Sequence, residues 1–277
     1  MVAAMALLSA MDAMAKFLTM DGVTVIQIVA LRSLVIVPIL FGVFWLRNKT
    51  HELKPKNPGA HLARGLIGFT APVCFFLGIT NVPLTDAVVI FFSSIFFITL
   101  LSIVVLGEKV GFHRWASVIV GFVGVLVVVG PKGGGDLQGY LLILTGSLAY
   151  SVLFISGRFL SATESVVSLV FSYNLCAGVI GLLLLNWFWA DLNTTQLVRI
   201  FVLSLFALCG HYLITMAFAK TEASLLAPLE YTSVVWAVLF DIVVWQLVPA
   251  FSTFIGAVII ISSGMYIVHR EQKNSLV

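Results

Sequence analysis

VTVIQIVALRSLVIVPILFGVFWL, residues 23–46, is apolar almost from end to end and carries one formal charge, Arg32. At 1.5 Å rise per residue a helix of this length reaches about 36 Å, enough to cross a hydrocarbon core of about 30 Å. The same kind of stretch recurs at 2–18, 62–79, 87–106, 115–129, 137–155, 166–189, 198–219, 224–247 and 251–268. The whole chain is 61% hydrophobic and 10% charged, where a soluble domain has about a quarter charged residues. These runs lack the period-two alternation of barrel strands, and lipid supplies no hydrogen-bond partners. They are read as about ten transmembrane helices of an all-α integral membrane protein.

Except for 47–61, the connectors are a few residues long, so chemistry has to occur within or between helices. The first span lacks the charged start and cleavage site of a signal peptide. It begins almost at Met1, so the N-terminus is either brief or shortened. With that terminus inside, Arg47, Lys49, Lys54, Lys56, Arg64, Lys109, Arg114, Arg158, Lys220, Arg270 and Lys273 are cytoplasmic. The opposite loops keep little beyond Lys132 and Arg199. The positive-inside rule then puts both termini in the cytoplasm, and the expected location is the inner (plasma) membrane of a bacterium. The net charge of +3 reflects this orientation, so no nucleic-acid partner is expected.

The chain echoes itself at an offset of about 140 residues. KFLT at 16–19 matches RFLS at 158–161, and the same register sets Arg32 against Asn174. The Gly124 helix parallels the Gly264 helix if the second half has about two extra connector residues. Five spans per half force the second copy upside down. The expectation is two inverted five-helix repeats, residues 1–131 and 137–270, as in secondary transporters. The alternative is convergent apolar composition.

RGLIGF at 64–69, VPLTDA at 82–87, LGEKVGFHRW at 106–115 and VGFVGVLVVVGP at 120–131 resemble the first EamA repeat of drug/metabolite transporters. APLEYT at 227–232 and IGAVIIISSGMYIVHRE at 255–271 resemble the closing part of the second. The resemblance covers essentially the whole chain. It implies a ten-helix, inverted-repeat carrier with a central cavity. The implied substrates are amino-acid-related compounds, riboflavin-like rings or S-adenosylmethionine. One departure is that Glu108 follows Leu-Gly, whereas the matching place in the second half is Gln246 after Trp245.

Ionisable groups at bilayer depth cost about 2.5–3.5 kcal/mol each on insertion scales, so they face a cavity or a partner. Counted from the cytoplasmic ends, Asp12 lies about 18 Å and Arg32 about 21 Å up their helices. Lys16 lies one turn beyond Asp12 on the same face. Asp12 and Arg32 either pair structurally or contact substrate, and Lys16 either joins them or snorkels to the interface. Nearer the cytoplasm, Glu230, His211 and Asn174 lie about 9, 12 and 14 Å up. A carboxylate and an imidazole at one depth either exchange a proton or pack as a hydrogen-bonded pair. Pro228 is expected to loosen the ninth helix, and Pro38 and Pro72 to mark bends. Asp241 is placed to approach Lys16 or the external vestibule, and Asp86 reads as an N-cap of the fourth helix. Tyr150, Phe154, Tyr173, Tyr212, Tyr231 and Trp236 are available as aromatic walls for a ring-bearing or cationic ligand.

GPKGGGD at 130–136 lacks the Gly-Lys-Ser/Thr ending of a P-loop. Cys74, Cys176 and Cys209 have neither metal nor disulfide spacing, and the helices lack the spaced Arg of a voltage sensor. The resulting reading is a secondary-active carrier of a small, amphipathic, zwitterionic or charged organic metabolite. It needs no cofactor or metal and is not an enzyme, with protons as the candidate coupling ion. The rivals are a membrane enzyme acting on lipid and a non-transporting scaffold or receptor. Oligomeric state is not legible.

Overall fold

The computed structural model describes residues 1–106, 112–129, 136–160, 163–220 and 229–275. The chain forms α1 (Val2–Met20), α2 (Val25–Leu46), α3 (Pro58–Asn81), α4 (Leu84–Phe91), α5 (Ser93–Leu106) and α6 (Phe112–Val129). It continues with α7 (Leu137–Leu160), α8 (Val166–Phe188), α9 (Thr194–Lys220), α10 (Thr232–Trp245) and α11 (Phe251–Ser275). Among the described residues seven spans are long and apolar enough to cross a membrane, with α4 and α5 together making one of them. Shorter apolar stretches at Trp115–Val129, Thr232–Trp245 and Phe251–Tyr266 bring the set to the expected ten. The protein is an all-α membrane protein.

Local chemistry sets several helix starts. Thr24 accepts from the Gln27 amide at α2, Ser165 from Ser168 at α8, and Asn57 from Ala60 at α3, where Pro58 fills the first helical position. Pro38 and Pro72 lie inside α2 and α3, which are each assigned as one helix through the proline. The break comes instead at Phe92, between α4 and α5, with no proline there. Tyr231 is the corresponding turn residue before α10. Pro228 lies outside the described residues, as do Glu108 and the glycine turn at 130–135.

The most extensive pairings run between the first five spans and the last five. α3 packs along α7, α1 along α9, α2 across α8 and α6 across α11. Missing side chains allow this closeness. A Cβ on Gly78 would stand 2.9 Å from the Gly139 carbonyl, and one on Gly256 2.8 Å from that of Gly124. In lipid, small residues let helices approach and gain van der Waals contact.

Polar links are also made across the two segments. At one end of the bundle Thr24 donates to the Phe188 carbonyl, and Gln27 exchanges two bonds with the Ala190 backbone. Arg199 binds Asp21 there at 2.9 Å. At the other end Ser165 donates to the Glu52 carbonyl. The Glu164 carboxylate, 1% exposed, accepts from the amides of Lys56 and Asn57 at 2.8–3.0 Å. The buried His61 ring lies 3.5 Å from it.

Those amides, Lys56 first, hold the Glu164 carboxyl below its ordinary value, with burial opposing and His61 adding to the effect. Because the native value is the lower one, this contact is fully stabilising above about pH 4.5 and is lost as pH falls through the native value. Glu164→Gln is expected to lower the thermal midpoint at pH 7 and to flatten its decline on acidification. Thermal unfolding of purified protein from pH 3 to 8 measures this, and an unchanged acid limb would remove Glu164 from the account.

Candidate functional site

The most densely bonded polar cluster lies where α1, α3 and α10 end and α4, α7 and α11 begin. Asp241, fully buried, accepts from the Leu84 and Thr85 amides at 3.0 and 2.7 Å and from the Thr85 hydroxyl at 2.7 Å. The N-terminus of α4 is therefore capped by a carboxylate from a distant helix, where the helix dipole favours negative charge. This corrects the reading of Asp86 as the cap. Asp86 instead accepts from Tyr140 at 2.8 Å and Thr253 at 2.7 Å.

Lys16 joins this cluster and does not stay beside Asp12. It is 3% exposed, donates to the Val82 carbonyl at 2.7 Å and lies 3.9 Å from Asp241. Its ammonium also sits 4.7 Å from the Trp245 ring centroid. Enclosed on every side, it does not snorkel. Tyr140 and Thr253 were missed by sequence reasoning, and only their places at the starts of spans six and ten hinted at them.

Deeper in the bundle, Arg32 is 5% exposed. Its Nη1 reaches the Met11 sulfur at 3.9 Å and its Nε has no hydrogen-bond partner. Asp12 and His211 lie within electrostatic range of it, and both retain accessible surface. The His211 Nδ1 lies 2.6 Å from the Ala207 carbonyl, which makes it the protonated ring nitrogen. Asn174 is 7% exposed and donates to the Val170 carbonyl at 2.9 Å. Ala30 faces Gly181 and Ser33 faces Gly178. This antiparallel register sets Asn174 level with Val37, about 8 Å along the axis from Arg32.

Glu230 lies within electrostatic range of Tyr150 and Tyr231. The rings form a chain. Phe91 stands 5.0 Å from Phe75 and 5.3 Å from Tyr150, which reaches Phe154 at 6.5 Å. Tyr231 packs edge-on against Phe92 at 4.9 Å. The Trp236 Nε1 is buried without a hydrogen-bond partner. The candidates thus fall into a charged group on α1, α2 and α9 and an aromatic group around Glu230. Tyr150, at 37%, keeps accessible surface amid this packing.

The EamA-like transporter family matches the chain twice, over residues 1–130 and 137–268. The chain belongs to that family and is a membrane transporter. It is 28% identical over 241 residues to an S-adenosylmethionine uptake transporter of Rickettsia conorii, covering 87% of this chain and 80% of that one. It is 25% identical to a riboflavin transporter of Rhizobium johnstonii (80% and 74% covered). It is 26% identical to a pseudopaline exporter of Pseudomonas aeruginosa (72% and 71%). A protein of known crystal structure shares the fold over 98% of both chains, with a TM-score of 0.65 and 17% identity.

The cluster around Asp241 sets an order of stabilities. Asp241→Ala strands two amides and an ammonium, so it is expected to cost about 3 kcal/mol or more. Lys16→Met should cost less, because Asp241 keeps its three other donors. Denaturant unfolding of the two variants measures the difference, and the reverse order would show that Lys16 anchors the cluster.

Proposed function

We propose that this transporter is a secondary-active carrier of a small organic metabolite, working by alternating access between two inverted five-span repeats. The observation that carries the reading is the correspondence between its two ends. Pairing α1 with α7, α2 with α8, α3 with α9, α4–α5 with α10 and α6 with α11 maps the α1·α9 contact onto α7·α3. The Thr24 cap, bonded to the last residue of α8, maps onto the Ser165 cap, bonded to the chain after α2. Phe92 and Tyr231 adopt nearly the same backbone conformation, φ −62°, ψ −13° and φ −64°, ψ −14°, and their rings touch. A turn residue thus stands at a matching place in the described part of each fourth span, and the two meet. Two equivalent halves that exchange conformations expose one midplane site to either side.

The cation bias supports cytoplasmic termini in a bacterial inner membrane. The names of the relatives support a polar metabolite as cargo, and a role in transport and not in catalysis. Glu230, an acid among aromatic rings, is the candidate proton carrier.

The test is saturable uptake or counterflow in proteoliposomes, with S-adenosylmethionine and riboflavin among the solutes. Saturable exchange of a solute supports the carrier. Lipid turnover by purified protein without exchange of any solute would contradict it. Glu230→Gln is expected to abolish accumulation driven by a pH gradient and to leave exchange measurable, since exchange needs no net proton release. Accumulation at the wild-type level would reduce Glu230 to a packing residue. Orientation is read from a cysteine at Lys54 in a protein with Cys74, Cys176 and Cys209 replaced by Ala. Labelling by an impermeant reagent in intact cells would reverse the topology.

A further inference from the structure

Arg32 is a buried guanidinium without an acceptor to match it. Among the described residues no carboxylate oxygen lies within 4.0 Å of it, its Nε is unsatisfied and a thioether is its one neutral contact. A guanidinium has five donors in a planar fork that fits a carboxylate bidentately, and leaving a charge in low dielectric without such a partner costs several kcal/mol. A purely structural arginine would have its fork filled by Asp12. Here Asp12 is near enough to feel the charge, stands off from it and keeps accessible surface.

We propose that Arg32 and Asp12 dock the zwitterionic head of an α-amino-acid-type substrate, with its carboxylate on the Arg32 fork and its ammonium on Asp12. The two protein charges are held apart with opposite signs, and an α-amino acid carries the complementary pair a few ångströms apart. A simple anion would satisfy Arg32 but meet the Asp12 carboxylate, and a simple amine would satisfy Asp12 but meet Arg32. Only the zwitterion completes both. His211, its Nδ1 tied to Ala207, flanks Arg32 as part of the wall. This inference rests on the transporter reading and narrows its cargo. Of the relatives' named substrates, S-adenosylmethionine bears such a head and riboflavin does not.

The test uses the full-length protein and thermal-shift titration, since a ligand stabilises the state it binds. The probes are S-adenosylmethionine, riboflavin, and methionine, phenylalanine and glutamine, each with its decarboxylated amine and deaminated acid. At least one zwitterion is expected to raise the midpoint saturably, with its amine and acid forms at least tenfold weaker. Arg32→Gln should weaken the zwitterion roughly tenfold or more, the loss expected of a hydrogen bond to a charged group. Asp12→Asn, a near-isostere that serves if Arg32→Gln does not fold, should weaken the zwitterion and leave the acid form unchanged or tighter. The inference is overturned if no zwitterion binds, if an amine, acid or riboflavin binds as well, or if either folded variant keeps wild-type affinity. Uptake of the same labelled compounds into proteoliposomes separates the two readings. Binding without uptake removes the transporter and leaves the site. Saturable uptake indifferent to Arg32→Gln removes the site and leaves the transporter.

Discussion

Hydrocarbon offers no hydrogen-bond partner, so each polar atom within the bundle must find one on another part of the chain. Beyond the local bonds that hydroxyls and amides make within their own helix turn, the partner is usually on the other five-span segment among the described residues. Thr24 reaches Phe188, Glu164 reaches Lys56 and Asn57, Asp241 reaches Leu84 and Thr85, and Asp86 receives Tyr140 and Thr253. Even Ser93, just past the break in the fourth span, bonds Ser147 at 2.9 Å. The bundle is held by links between its halves, at the surface where a carrier has to move.

These links differ in chemistry from end to end. At the Lys16 end they are buried, charged and capped by Asp241, an arrangement that is costly to open because each separated charge would need water or a new partner. At the level of Arg32 the charges are present but incompletely matched. A carrier needs both conditions: a sealed end that releases as a unit, and an unsatisfied midplane site whose cargo supplies what the protein lacks. In the proposed mechanism Arg32 and Asp12 would meet the second requirement, and Lys16, Asp86 and Asp241 the first.

Much of this was legible in the sequence. Span length and composition gave the ten helices, because the bilayer makes both nearly obligatory. Depth along a helix placed Arg32, Asp12 and Asn174 inside the bundle. Neighbours were harder to read. Helical spacing put Lys16 on the Asp12 face, but a long flexible side chain goes where an acceptor is, and the Val82 carbonyl and Asp241 were the better offer. The cap of α4 was assigned to Asp86 on local grounds, while the carboxylate that provides it is more than 150 positions away. Pro38 and Pro72 lie inside α2 and α3 and end neither helix.

The central claim is that two equivalent halves exchange states about a common axis. Spin labels at Met20 and Val248 report the Lys16 end, where both positions are exposed. Labels at Val104 and Phe159, also exposed, report the corresponding pair at the other end. Pulsed electron–electron distance measurements in reconstituted protein, with and without a transported solute, test the claim directly. The account predicts opposite changes, one pair separating as the other closes. Two pairs that hold fixed distances, or that widen together while the protein transports, would contradict it.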